Sequence, residues 1–169
     1  MKKNTRNLTH AAVLAALYVV LTFLQNILLP GSTSMAIQLR LSEALCVFSL
    51  FTPAAVWGLG IGCMLYNLSY AGALPLDFFV GTCATLLATL AMYQLRNIKL
   101  CKIPVLSLLM PALFNALLVG WELTVYIGSS FWLNALYVAI GEAVILFTLG
   151  IALFFVLSNP RLNRLLFGR

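Results

Sequence analysis

Charge is what this 169-residue chain has least of: 8% of its residues are charged, against about a quarter in soluble domains. Four residues are acidic and one, His10, is a histidine. Motifs that hold chemistry are missing as well. There is no G-x-x-x-x-G-K-[ST] loop to cradle ATP phosphates, no H-E-x-x-H metal helix and no G-x-S-x-G nucleophile elbow. The four cysteines, Cys46, Cys63, Cys83 and Cys101, show no C-x-x-C spacing and three of them fall inside apolar runs. They read as small packing residues, with neither a disulfide framework nor a metal cluster, and no cofactor is expected. His10 sits at the basic, cytoplasmic entry to the first apolar run and reads as a solvated interfacial histidine, on the opposite side of the bilayer from the acidic residues and so unable to form a triad with them.

What is present is apolar. Hydrophobic residues make up 63% of the chain and mean hydropathy is +1.04, which marks an integral membrane protein. The apolar runs are long and continuous, whereas barrel strands alternate over about ten residues, so the expected fold class is all-α. The length leaves room for about six spans of roughly 20 residues as one domain, 1–169, without an appended catalytic domain. The net charge of +6 sits in short flanks and one loop, where it sets orientation; a nucleic-acid partner is not expected. Ala11 to Leu29 is too long for the apolar part of a signal peptide and lacks a small-x-small cleavage site, so it is read as the first span.

Span 1 runs to about Leu29 and stacks Ala11 over Ala15 and Ala12 over Ala16, spacings that let another helix approach closely in lipid. Pro30-Gly31-Ser32-Thr33-Ser34 breaks it. The stretch Gln38-Leu39-Arg40-Leu41-Ser42-Glu43-Ala44-Leu45 then opens a short span 2 that ends near Phe51. Span 3 follows Pro53 and reaches about Asn67. Its Gly58 and Gly62 are placed for close helix packing, since the glycines follow no strand and cannot form a nucleotide loop. Span 4 goes from Asp77 to about Arg96, span 5 from about Ile103 to Thr124 with a bend at Pro111, and span 6 from about Phe131 to Leu157. Lys2, Lys3, Arg6, Arg96, Lys99, Lys102, Arg161, Arg164 and Arg169 then share one side, and Arg40 alone lies on the other. The positive-inside rule places both termini in the cytoplasm.

All four acidic residues fall on, or reach toward, the outer half: Glu43, Asp77, Glu122 and Glu142. Asp77 also has a simple reading as a carboxylate at a helix N-terminus. Ionisable groups at the centre of a span cost about 2.5 to 3.5 kcal/mol each on insertion scales, so they face a partner or a cavity. Asn115 and Glu122 share one helix face, Asn134 and Gly141 another with Glu142 beside it, and Asn67 closes span 3. Trp121, Trp132, Tyr66, Tyr70 and Tyr126 cluster at the same level, where an interfacial belt explains any one of them. Together with the carboxylates and carboxamides they also suit a flat ligand that stacks on rings and offers hydrogen bonds at its edge.

Several segments resemble the QueT family, the queuosine-precursor substrate-binding (S) components of energy-coupling factor transporters. They are Ala11 to Leu21, Gln38 to Leu45, Phe51 to Gly62, Asn115 to Leu123, Phe131-Trp132-Leu133 and Gly141-Glu142. The resemblance implies a six-helix subunit of the bacterial plasma membrane that binds its ligand from outside. Its partners would be a transmembrane coupling subunit and two cytoplasmic ATPases, so the chain itself would not be an enzyme. It also implies a 7-deazaguanine ligand such as preQ1, preQ0 or queuine, and a coupling surface at Ala11, Ala12, Ala15 and Ala16. On this reading Glu122 or Glu142 accepts from the purine-like edge, Asn115 or Asn67 reaches the carbonyl, Trp121 or Trp132 stacks, and Arg40 and Glu43 order the outer entrance. A stand-alone secondary transporter with Glu142 carrying a coupled proton, a small membrane enzyme, and a binding component for another vitamin are the alternatives. Glu122→Gln or Glu142→Gln should abolish transport, and wild-type affinity in both variants would remove the assignment.

Overall fold

The computed structural model describes residues 3–32, 39–70, 73–100 and 102–168. Gln38, Thr33, Ser34, Cys101, Lys2 and Arg169 lie outside the described residues. Every regular element among those described is helical. The elements are α1 (Lys3–Leu28), a 3-10 helix (Leu41–Leu50), α2 (Ala54–Ser69), α3 (Asp77–Leu95), α4 (Val105–Ile127), α5 (Phe131–Ile145), α6 (Ile151–Ser158) and α7 (Pro160–Phe167). A π-helical segment, Leu146–Gly150, joins α5 to α6 without a break. α4 continues through Pro111, which is buried within it.

Four of these helices are long and apolar enough to cross a membrane: Asn4–Leu28, Asp77–Leu95, Val105–Ile127 and Phe131–Ser158. The other two apolar segments are shorter. Ten residues of 3-10 helix rise about 2.0 Å each and so reach about 20 Å, less than the roughly 30 Å of a bilayer's hydrocarbon core. The expected short span 2 therefore exists as a segment but takes the tighter helix, which gains length from few residues. It is buried on nearly all sides, from Ser42 through Val47 and again at Ser49 and Leu50. It packs against α1, α2, α3, α4, α5, α6 and the π segment, as the central post of the bundle.

Small residues make room for that arrangement. A Cβ on Gly58 would lie 2.5 Å from the Ala11 carbonyl oxygen, and one on Gly62 would lie 2.9 Å from that of Ala15. The backbones of α1 and α2 are thus in contact. Gly120 of α4 meets Ala135 of α5 in the same way, 2.9 Å from its Cα. The glycines read as packing positions in the sequence do pack, and their partners are the inner pair of the alanine stripe. Ala15 is buried and Ala11 half-buried, whereas Ala12 and Ala16 are exposed. Those two line an open apolar groove with Val20, Ile61 and Leu65.

The chain ends differently from the plain basic tail expected. Asn159 accepts from the Arg161 amide at 3.0 Å and caps α7, Pro160 occupies its first turn, and Gly168 closes it at φ 68°. Phe167 tucks into the core, edge-on to His10 at 5.9 Å and stacked on Phe51 at 5.5 Å. The two ends of the described chain therefore meet at one end of the bundle. Gly58→Ala should force α1 and α2 apart and lower stability by about 1–3 kcal/mol, read as a lower thermal midpoint in detergent. Trp57→Ala, at an exposed neighbour, serves as control, and an unchanged midpoint for Gly58→Ala would remove the contact from the ledger of stabilising interactions.

Candidate functional site

Gln25 of α1 fixes the backbone where the 3-10 helix begins. Its side-chain amide donates to the Leu39 carbonyl, while its carbonyl accepts from the Leu41 amide at 2.8 Å. Arg40 lies between those two bonds, so a buried glutamine clamps the main chain on either side of it. Thr22, one turn away on α1, donates to the Ser42 hydroxyl at 2.8 Å. These bonds hold Arg40 and Glu43 inside the bundle, with 6% and 1% of their surface exposed. Both side chains are thus buried in the protein, drawn in by the polar face of α1.

A carboxylate from another helix pairs with Arg40. Its guanidinium makes an ion pair with Asp77 of α3 at 3.8 Å, and Glu43 is close enough to act on it electrostatically. Glu122 on α4 and Glu142 on α5 both feel the same guanidinium. All four acidic residues of the sequence are buried in the bundle, and Asp77 forms an ion pair with Arg40. Although Glu43 stands only three residues along the chain, the ion pair of Arg40 links the 3-10 helix to α3.

Neutral donors complete part of the arrangement. Tyr18 donates its hydroxyl to Glu43 Oε1 at 2.7 Å and the Cys46 thiol lies 3.2 Å from Oε2. With three residues per turn, Glu43, Cys46 and Ser49 stack along one edge of the 3-10 helix. Asn115 donates to Glu142 Oε1 at 2.8 Å, and Asn67 donates to the Asp77 carbonyl at 2.9 Å. Gly81 is packed beside them: a Cβ there would lie 3.0 Å from Asn67 Nδ2 and 3.9 Å from Arg40 Nη1. Two buried oxygens of this cluster, Asn67 Oδ1 and Glu142 Oε2, have no hydrogen-bond partner, and the Glu122 carboxyl lies beside that of Asp77. Buried polar atoms are ordinarily paired, at a cost of about 1–3 kcal/mol each when they are not.

Of the residues selected from sequence, Arg40, Glu43, Asn67, Asn115, Glu122 and Glu142 come together. Trp121 and Trp132 do not join them, since they are 51% and 77% exposed on the outside of the bundle. One helical step turns a side chain by about 100°, so Glu122 facing inward leaves Trp121 facing out. The aromatic stack that the fold forms is elsewhere: Tyr66, next to Asn67, lies on Tyr70 with ring centres 5.4 Å apart, and Phe23 meets Tyr66 edge-on. Asn134 joins the two helices at their turn, accepting from Ser129 and donating to Thr124.

The family model described as QueT transporter matches residues 8–159. The chain belongs to the QueT transporter family. No curated protein and no solved structure matches it. Membership makes it a transporter with several apolar helices, and the QueT match takes in every member of the buried cluster, from Tyr18 to Glu142.

Sequence reasoning missed Tyr18, Gln25, Asp77 and Gly81 as parts of the site. Asp77 was legible as a helix-start acid and gave no sign of its partner. Tyr18 and Gln25 lie seven apart within an apolar span, one helical face two turns long, and that polar stripe was the available signal. Gln25→Ala should leave the Leu41 amide and Leu39 carbonyl without partners, destabilising this corner by about 1–3 kcal/mol. Hydrogen exchange at the Leu41 amide reports it: protection should fall there while that of α4 holds, and equal protection in both proteins would dismiss the clamp.

Proposed function

We propose that this QueT protein is the substrate-binding (S) component of an energy-coupling factor importer, capturing a queuosine precursor of the 7-deazaguanine class from outside the cell. The observation that carries the reading is the buried cluster. Its unpartnered atoms are all acceptors, and a guanine-like edge brings an N1–H and an exocyclic amine that a carboxylate takes as a pair, with a carbonyl beside them for an amide or guanidinium donor. The reading includes six membrane segments with both termini cytoplasmic. Charge supports that orientation, as does the meeting of α1 and α7 at one end of the bundle.

The chain carries no phosphate-binding loop, so energy would come from two cytoplasmic ATPases acting through a transmembrane coupling subunit in the bacterial plasma membrane. The groove lined by Ala11, Ala12, Ala15 and Ala16 is the face on α1 open to that subunit, with Ala11 and Ala15 at its floor against α2. Ring stacking passes from the two exposed tryptophans to side chains within the bundle.

Mass spectrometry of the purified protein should find a retained 7-deazaguanine. Uptake in vesicles should require the coupling subunit and ATPases together. Concentration of substrate by the chain alone would favour a stand-alone secondary transporter, and retention of an unrelated vitamin would replace the ligand class.

A further inference from the structure

We propose a lipid site at the end of the bundle where α1 begins and α7 ends: the phosphate of an anionic phospholipid sits in a polar pocket beside Arg6, and one of its acyl chains lies in the apolar groove that adjoins this pocket along α1. The site is separate from the buried carboxyl cluster and does not depend on what that cluster binds.

The pocket has a volume of about 100 Å³; Arg6, Asn7, His10, Thr52 and Tyr93 supply its polar lining, and Phe167 of α7 walls it. A guanidinium, a carboxamide, a hydroxyl and a phenol can each donate a hydrogen bond into it. Thr52 Oγ1 accepts from the Ala54 amide at 3.3 Å, which leaves its hydroxyl proton for another acceptor. All four acidic residues are buried elsewhere in the bundle, and none lines this pocket. Arg6 is half-buried and makes no ion pair among the described residues. Arg96 adds a second positive charge beside it, with its guanidinium 3.9 Å from the centre of the Tyr93 ring. Converging donors and two guanidinium groups, with no carboxylate to answer them, make a place for an anion.

The adjoining groove identifies that anion as a lipid. His10, Thr52 and Phe167 also line this second cavity, which is apolar, has a volume of about 330 Å³ and continues past Val13, Leu17 and Leu166. From His10 to Leu17 it follows α1 for about 10 Å. Val13 and Leu17 are 52% and 41% exposed, so the groove opens outward, toward the bilayer. A free phosphate would fill the pocket and leave the groove unused. A phospholipid uses both, and basic pockets between membrane helices are where anionic headgroups settle.

The test titrates the purified full-length protein, in neutral detergent, with phosphatidylglycerol or with phosphatidylcholine of the same acyl chains, and follows the thermal midpoint. Phosphatidylglycerol should raise the midpoint at about a tenfold lower concentration, the scale of one charge-assisted hydrogen bond; equal action of the two lipids overturns the proposal. Arg6→Gln should remove the preference, and a folded variant that keeps it overturns the proposal too. Arg161→Gln, at an exposed arginine that does not line the pocket, should keep the preference; its loss in both variants alike means diffuse surface charge and overturns the pocket. Val13→Trp, which fills the groove, should weaken the response to phosphatidylglycerol. A full response in that variant, or an equal response of the wild-type protein to inorganic phosphate, makes this a site for a free anion and overturns the lipid. If Arg6→Gln does not fold, mass spectrometry of lipids retained by the wild-type protein decides: acidic lipid should be enriched over the membrane extract, and retention in the membrane's own proportions overturns the proposal.

Discussion

An arginine keeps its proton under all conditions in which a protein stays folded, so Arg40, taken out of water, is a permanent charge that the fold has to answer. Left alone it would cost several kcal/mol, a large part of the 5–15 kcal/mol that holds a typical domain together. The bundle answers with Asp77 of α3, whose carboxylate pairs with the guanidinium at 3.8 Å. That ion pair ties the start of the 3-10 helix to α3, while Asn115 joins α4 to Glu142 of α5.

Such a centre requires the central helix to stand among all the others, which only thin neighbours permit. Gly58 and Gly62 let α2 lie against the backbone of α1, and Gly120 does the same between α4 and α5. With those pairs drawn tight, the short segment Leu41–Leu50 fits within the ring they help form. The 3-10 geometry contributes again here: three residues per turn place Glu43 above Cys46 and Ser49, so one edge of the post is polar while the rest meets Leu14, Tyr18, Leu59 and Phe154 in the apolar core.

How much of this was legible follows from what a one-dimensional pattern can carry. The apolar runs and their Gly and Pro breaks located the segments within a few residues, because length and hydropathy are local properties. The acids stood out for the same reason: in an apolar chain each one is an anomaly that demands a partner. The partners were not legible, since pairing across helices depends on rotation and tilt, as with Asp77, the partner of Arg40. The tryptophans misled because amphipathic rings have two good homes, a ligand face and the lipid interface, and a step of one residue along α4 decides between them. The Asn-Pro start and Gly stop of α7 were readable as caps; the basic charge of that tail drew attention from them.

α1 deserves a last word as a mechanical part. It carries the exposed alanines Ala12 and Ala16 around its middle, then the Tyr18 bond to Glu43 and, further on, the Gln25 clamp around Arg40. Ala12 and Gln25 are separated by about 20 Å of uninterrupted helix. With no break in the helix between them, the alanine face and the clamp around Arg40 belong to one rigid body.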